Sequence, residues 1–364
     1  MTCKRSWKLG SSKKKTNKNK KKKKTKKQTL LDLPSDLLNL VISFLPLKDN
    51  IHASTVCKTL HEACVSVRVP DTSPWLIHFS RTDGSHELYD PSTQKTHNLS
   101  FPELSDYRVC YSREGWLLMY NANTFQLLFL NPFTRERIPL PPHWMAYDQR
   151  MAFSCAPTST TCLLFTVTNV NTSNITVKTC CPNAAQEWKT FVFKNRLPGS
   201  YHTFEQIVFS NGVFYCLTNM GCVTIFDPCL ESWNVLPGRT RKDEGRSNGC
   251  FMTEHQGKIF LIYMYRFMSP TVHRLDHTSW EWTERRTLGG LTIYASALSC
   301  ETRAGQSGIQ EDSLCLSVFR GFKRTCIYHK VGEESVISFK WKKLDPYGNI
   351  WIMPPLNLLD LPFA

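Results

Sequence analysis

The apolar positions along the chain follow two different rules. Residues 33–47 read LPSDLLNLVISFLPL, in which Leu37, Leu38, Leu40, Val41, Ile42, Phe44 and Leu45 are broken only by Asn39 and Ser43. A surface helix needs one apolar stripe. Here apolar side chains occupy most of the circumference, so the segment predicts a helix that needs covering on more than one side. Pro34 suits the start, where its missing N–H costs nothing. Asp36 complements the helix dipole, and Pro46 ends the run. A second helix is predicted from about Lys48 to Val56. A third, from about Lys58 to Val67, presents Leu60, Ala63, Cys64 and Val67.

From Trp75 the pattern changes to short β-branched and aromatic runs separated by turn signals. Residues 207–238 divide into the strands IVF, VFYCLT, CVTIFD and SWNVLP, with Asn211-Gly212, Met220-Gly221 and Asp227-Pro228 at the turns. The same order recurs in residues 113–142 around Gly115 and Asn131-Pro132, and in 255–290 around Gly257 and Asp276-His277. Residues 86–104 resemble the latter half of a copy. Weaker copies fall near 151–198, and in 291–344 with LCLSVF, CIYHKV and FKWKKL. Four strands recurring at this spacing predict a β-propeller of about six blades. Strand patterning alone also permits a pair of β-sandwiches. The fold class is therefore a small three-helix unit followed by an all-β propeller. The divisions fall at 1–29, 30–70 and 71–364.

Charge adds a third segment. The 364 residues carry a formal net charge of +15. Residues 1–27 hold thirteen lysines and one arginine without an acid, which leaves the remainder near +1. Residues 1–29 are predicted to be a disordered tail. The tail suits a nuclear address or loose phosphate contacts. No aromatic interleaves the run 13–27 to stack on bases, so any nucleic-acid contact is expected to be non-specific. The fifteen cysteines are scattered and odd in number, and no apolar signal core precedes them. That points to a reducing compartment, nucleus or cytoplasm. No run is long enough to span a membrane, and no C-x-x-C suggests a metal site. No cofactor is called for.

Catalytic signatures are missing too. The chain has no Gly-x-Ser-x-Gly elbow, no phosphate loop and no His-Glu-x-x-His. His86, His202 and Cys180-Cys181 sit near predicted strand ends and read as structural. Residues distant in sequence could still meet at a propeller's centre.

Leu33, Pro34, Asp36, Leu37 and Leu38, followed by Val56, Cys57 and Lys58, resemble the F-box motif in order and spacing. His52 stands where arginine is common in that motif, and Leu60 where tryptophan often lies. An F-box followed by a degenerate propeller resembles the plant F-box/kelch-repeat proteins, though Gly289-Gly290 is the sole double glycine of the kelch type. The resemblance implies a non-catalytic adaptor. Its F-box would bind a Skp1-like protein, and through it a cullin, while the propeller presents an unknown protein substrate for ubiquitination. The implied Skp1-binding residues are Leu33, Pro34, Asp36, Leu37, Leu38, Val41, Phe44, Leu45 and Leu47, with Val56, Cys57, Lys58 and Leu60. The same apolar face could instead pack on the chain's own propeller. A different class, a nuclear scaffold whose tail touches nucleic acid, also remains. Candidate substrate anchors are Trp144, Arg239, Arg241, Arg246, Arg266 and Arg285, since arginine and tryptophan make strong contacts. Each could equally be a loop charge or a blade-packing ring.

Overall fold

A computed structural model describes residues 30, 33–43, 45, 47–67 and 73–354, except 80–84, 92–94, 147–148, 170–172, 185–186, 199–202, 238–246, 266–269, 305–310, 321–322 and 333–348. The lysine-rich tail, Phe44, Arg239, Arg241, Arg246, Arg266 and the FKWKKL segment lie outside the described residues. The chain divides into two compact units, Met1–Pro70 and Asp71–Ala364. No helix among the described residues is long and apolar enough to cross a membrane.

The first unit holds α1 (Ser35–Ser43), α2 (Leu47–Ser54) and α3 (Lys58–Val67). The Pro34 carbonyl accepts the Leu38 N–H at 3.0 Å, so Pro34 begins α1 from just outside it. α2 ends earlier than the sequence pattern predicts. The Thr55 hydroxyl donates to the His52 carbonyl at 2.8 Å, and Val56 N–H reaches Ala53 O at 3.2 Å. These bonds tighten the chain into a turn before Lys58. Leu38 and Ile42 of α1 pack on Ala63 and Cys64 of α3, with Ala53, Leu60 and Val67 at the margin. The buried Asn50 amide donates to the Cys64 carbonyl at 3.3 Å, tying α2 to α3.

Among the described residues, the second unit holds twenty-four strands in six four-stranded sheets. β1 (Trp75–Phe79), β2 (Ser85–Asp90) and β3 (Lys95–Ser100) begin the first sheet. The second runs β4 (Tyr107–Arg113), β5 (Trp116–Asn121), β6 (Leu127–Leu130) and β7 (Arg137–Leu140). β8 (Arg150–Phe153), β9 (Leu164–Asn169), β10 (Asn174–Cys180) and β11 (Lys189–Lys194) form the third, the weak copy of the repeat. The fourth is β12 (Phe204–Ser210), β13 (Val213–Thr218), β14 (Val223–Asp227) and β15 (Ser232–Val235). The fifth is β16 (Ser247–His255), β17 (Lys258–Tyr265), β18 (Thr271–Asp276) and β19 (Glu281–Arg285). β20 (Leu291–Ala295), β21 (Cys300–Ala304), β22 (Ser313–Arg320) and β23 (Lys323–Lys330) make the sixth. The last strand, β24 (Asn349–Ile352), pairs with β1 and completes the first sheet. The 86–104 copy looked incomplete because its innermost strand comes from the far end of the chain. β4, β8, β12, β16, β21 and β24 contact one another in turn and line the centre. This is a closed six-bladed propeller.

Two turns explain the repeat. Glu114-Gly115, Asn211-Gly212 and Gln256-Gly257 each place both central residues at positive φ, the condition for a two-residue hairpin. At Gly115 an added Cβ would also lie 3.2 Å from the Met353 carbonyl. Farther out, Asn131, Asp227 and Asp276 each turn a carboxamide or carboxylate oxygen onto two following backbone N–H groups. Four residues on, Arg135, Glu231 and Trp280 adopt positive φ. The recurring Asp or Asn is a turn acceptor.

Blades meet through aromatic and aliphatic faces. Phe129 meets Phe153 edge-on at 4.9 Å between the second and third, and Phe165 stacks on Phe214 at 4.4 Å between the third and fourth. The sixth blade departs from the simple meander. Its order is β21-β20-β22-β23, and β20 pairs parallel with β22.

Candidate functional site

At about 100° per residue, α1 has two distinct apolar faces. Leu38 and Ile42 are 3% and 1% exposed, whereas Leu37, Leu40 and Val41 are 50%, 55% and 45% exposed. Leu38 therefore leaves the candidate interface set: its side chain fills the unit's own core. Leu40, absent from that set, joins the open face, and its exposure follows from its helical phase with Leu37 and Val41. Leu33, Pro34, Asp36 and Leu45 are exposed beside them. Val56 stands in the α2–α3 turn at 71% exposure, next to half-buried Cys57 and exposed Lys58. Leu60 is half-buried against the core instead of displayed, and His52 is exposed. For Leu47 only the backbone is described. Ser66 holds α3 to α1 through a 3.4 Å hydroxyl bond to the Asn39 side-chain oxygen, which fixes the presentation of the open face. Chemically this face offers aliphatic surface that can be buried.

The described substrate-anchor candidates do not converge. Trp144 follows β7 on the outside of the second blade and is largely exposed. Arg285 ends β19 on the outside of the fifth, three blades away in a ring of six. Arg285 lines a cavity of about 460 Å³ with Lys258, Arg274, Arg286 and Glu284.

A second cavity, of about 240 Å³, lies where inner strands meet. Tyr111, Arg113 and Glu114 reach it from β4 and its turn, Ile207 and Val208 from β12, Glu254 from β16, Cys300, Glu301 and Thr302 from β21, and Met353 from just after β24. Arg113 donates through Nη1 to the Phe209 carbonyl at 3.0 Å and through Nε to Glu114 at 3.4 Å. Glu114 also accepts the Ala156 N–H at 2.8 Å. Glu254 accepts the Gly257 N–H at 2.6 Å. Burial pushes the Glu301 carboxyl up to about 8; Arg113 opposes the shift and Glu114 adds to it. Burial likewise raises the Cys300 thiol and the Tyr111 hydroxyl to about 12. No cluster of metal-ligating side chains occurs among the described residues. Motif reading missed this centre because its charges come from separate blades. The signal was the inner-strand phase of the repeat.

Sequence comparison agrees with both units. The F-box domain profile matches residues 30–72, and the KIB1-4 beta-propeller profile matches residues 88–338. F-box protein At3g56470 of Arabidopsis thaliana is 72% identical over 340 residues, 93% of this chain and 92% of that protein. F-box/kelch-repeat protein At1g57790 of the same plant is 39% identical over 91% of this chain and 96% of its own length. F-box/kelch-repeat protein At3g18720 is 38% identical over 81% of this chain and 80% of its own.

Proposed function

Because the chain belongs to the F-box proteins that carry a KIB1-4 beta-propeller, we propose that it is the substrate-recognition adaptor of a Skp1–cullin–F-box ubiquitin ligase. It has no catalytic role of its own. The helical unit binds a Skp1-like protein, which links it to a cullin, and the propeller holds the protein to be ubiquitinated. One observation carries the reading: α1 spends Leu38 and Ile42 on its own core and keeps Leu37, Leu40 and Val41 open. Burying five side chains such as Leu33, Leu37, Leu40, Val41 and Leu45 is worth about 2 kcal/mol each. Association costs of several kcal/mol come off a gross figure of roughly 10 kcal/mol, so this face alone supports a complex of about tens of micromolar or weaker.

The test is affinity capture of a plant Skp1-like protein by the full chain. Leu37→Asp with Val41→Asp puts two charges on the open face and should reduce capture at least about a hundredfold. Undiminished capture by that variant would refute the assignment.

A second reading, a nuclear scaffold whose tail touches nucleic acid, is favoured by the fourteen cations of residues 1–27. It differs in salt response: tail contacts to phosphates weaken steeply with salt, whereas an apolar helix face does not. On either reading the protein works in the nucleus, the cytoplasm or both.

A further inference from the structure

We propose that the central cavity bounded by Arg113, Glu114, Glu254 and Glu301 seats one basic side chain, a lysine or arginine, of the captured protein, with the Glu301 carboxylate as its counter-ion. This rests on the adaptor reading and adds the chemistry of the segment recognised.

Three carboxylates and one guanidinium line the cavity, and their engagements differ. Arg113 is committed to the Phe209 carbonyl and to Glu114. Glu114 and Glu254 each hold a backbone N–H of a neighbouring turn. Among the described residues, Glu301 alone of the four makes no side-chain hydrogen bond or ion pair; its backbone pairs with Tyr294 of β20. Glu301 is half-buried and lines the cavity. Withdrawing a carboxylate from water is costly, Arg113 offsets only part of that cost, and a cation entering the cavity would offset more of it. With three acids against one base, the lining favours a positive guest. A helix, 10–12 Å across with its side chains, is too wide for about 240 Å³, but a single long side chain fits.

The surroundings make the pairing readable by pH. Glu301 interacts electrostatically with Tyr111 and Arg113 of β4, with Glu114 of the following turn and with Cys300 of its own strand; Glu254 of β16 shares the cavity lining, His255 bonds to the neighbouring Thr302 at 3.0 Å, and Tyr294 of β20 is the cross-strand partner. Burial holds Cys300 and Tyr111 neutral well above pH 9, and it lowers His255 so that the imidazole is neutral above pH 6.5. Glu301, pushed up to about 8, is mostly protonated at pH 6.5 and mostly ionised at pH 9.

The experiment is calorimetric titration of the full chain with acetyl-arginine amide, using acetyl-citrulline amide as the uncharged control. The arginine probe should bind about tenfold or more tightly at pH 9 than at pH 6.5. It should lose that gain in Glu301→Gln, and the control should not bind. Binding that ignores pH or survives Glu301→Gln overturns the proposal, as does equal binding of the citrulline control or no binding of the arginine probe at pH 9. Should Glu301→Gln fold poorly, the wild-type pH comparison against citrulline still decides. Capture of the Skp1-like protein is measured in parallel and reports on the adaptor reading alone, so the two failures are distinguishable.

Discussion

Tyr294 and Trp351 meet edge to face, with ring centroids 5.1 Å apart, where the sixth blade abuts the first. The Trp351 indole N–H donates to the Ala295 carbonyl at 3.1 Å, and Leu76 and Cys315 complete the cluster. Both rings are fully buried. The contact joins β24, the last strand, to β20 across the seam of the ring.

Trp351→Ala should therefore cost about 3–5 kcal/mol, the usual range for a buried tryptophan. Trp144→Ala removes an exposed ring and should stay within about 0.5 kcal/mol. Thermal or urea unfolding of the full chain compares the two. Equal midpoints for both variants would mean that the seam does not limit stability.

In α1, adjacent leucines should fail in opposite ways. Leu38→Ala empties core space beside Cys64 and should destabilise the helical unit by about 2–5 kcal/mol. Leu37→Ala should leave stability nearly unchanged and weaken capture of the Skp1-like protein about tenfold. Circular dichroism melts with parallel capture measurements separate the effects, and a melt shift for Leu37→Ala as large as that for Leu38→Ala contradicts the two-face account.

Asp227 accepts the Cys229 and Leu230 N–H groups at 2.8 and 3.0 Å. Asp227→Ala removes both bonds and should cost about 1–2 kcal/mol, while Asp227→Asn keeps an acceptor and should cost less than half of that. Denaturant midpoints check the ordering.

Glu301 also predicts how stability follows pH. Its folded-state pKa, about 8, stands above the ordinary 4.5. The folded protein therefore holds more protons than the unfolded chain between those values, and this group's contribution falls as pH rises from about 4.5 to 8, then levels off. Glu301→Gln should remove that decline and be the more stable protein at pH 8.5 by a few kcal/mol at most, with little difference at pH 4. Urea unfolding at the two pH values measures it, and parallel pH profiles for wild type and variant would contradict the assignment.

How far the sequence revealed this molecule depended on whether each feature was local. Gly115, Gly212 and Gly257 announce their hairpins because positive φ is a property of one or two residues. Asn131, Asp227 and Asp276 announce the next turn in the same way. Pro34 and the apolar excess of α1 marked the helical unit. The division of its faces was less legible: Leu38 and Leu37 are alike as residues, and only packing against Ala63 and Cys64 tells them apart. The β20–β22 parallel pairing and the return of β24 to β1 are long-range choices that no short window records. The same holds for the convergence of Arg113, Glu254 and Glu301, which needs the ring to be closed first.

The pairing of β24 with β1 gives the chain a timetable. Residues 33–67 complete their own core soon after leaving the ribosome, since its members all lie within that stretch. The first blade waits for residues 349–352, far downstream of β1 in the chain. Until then β1 offers an unpaired edge, the part of a sheet most prone to wrong partners. Domains fold in order of synthesis, so the helical unit is ready while the propeller is still open. On the proposed function, a nascent or truncated chain would occupy a Skp1-like protein without delivering anything to it.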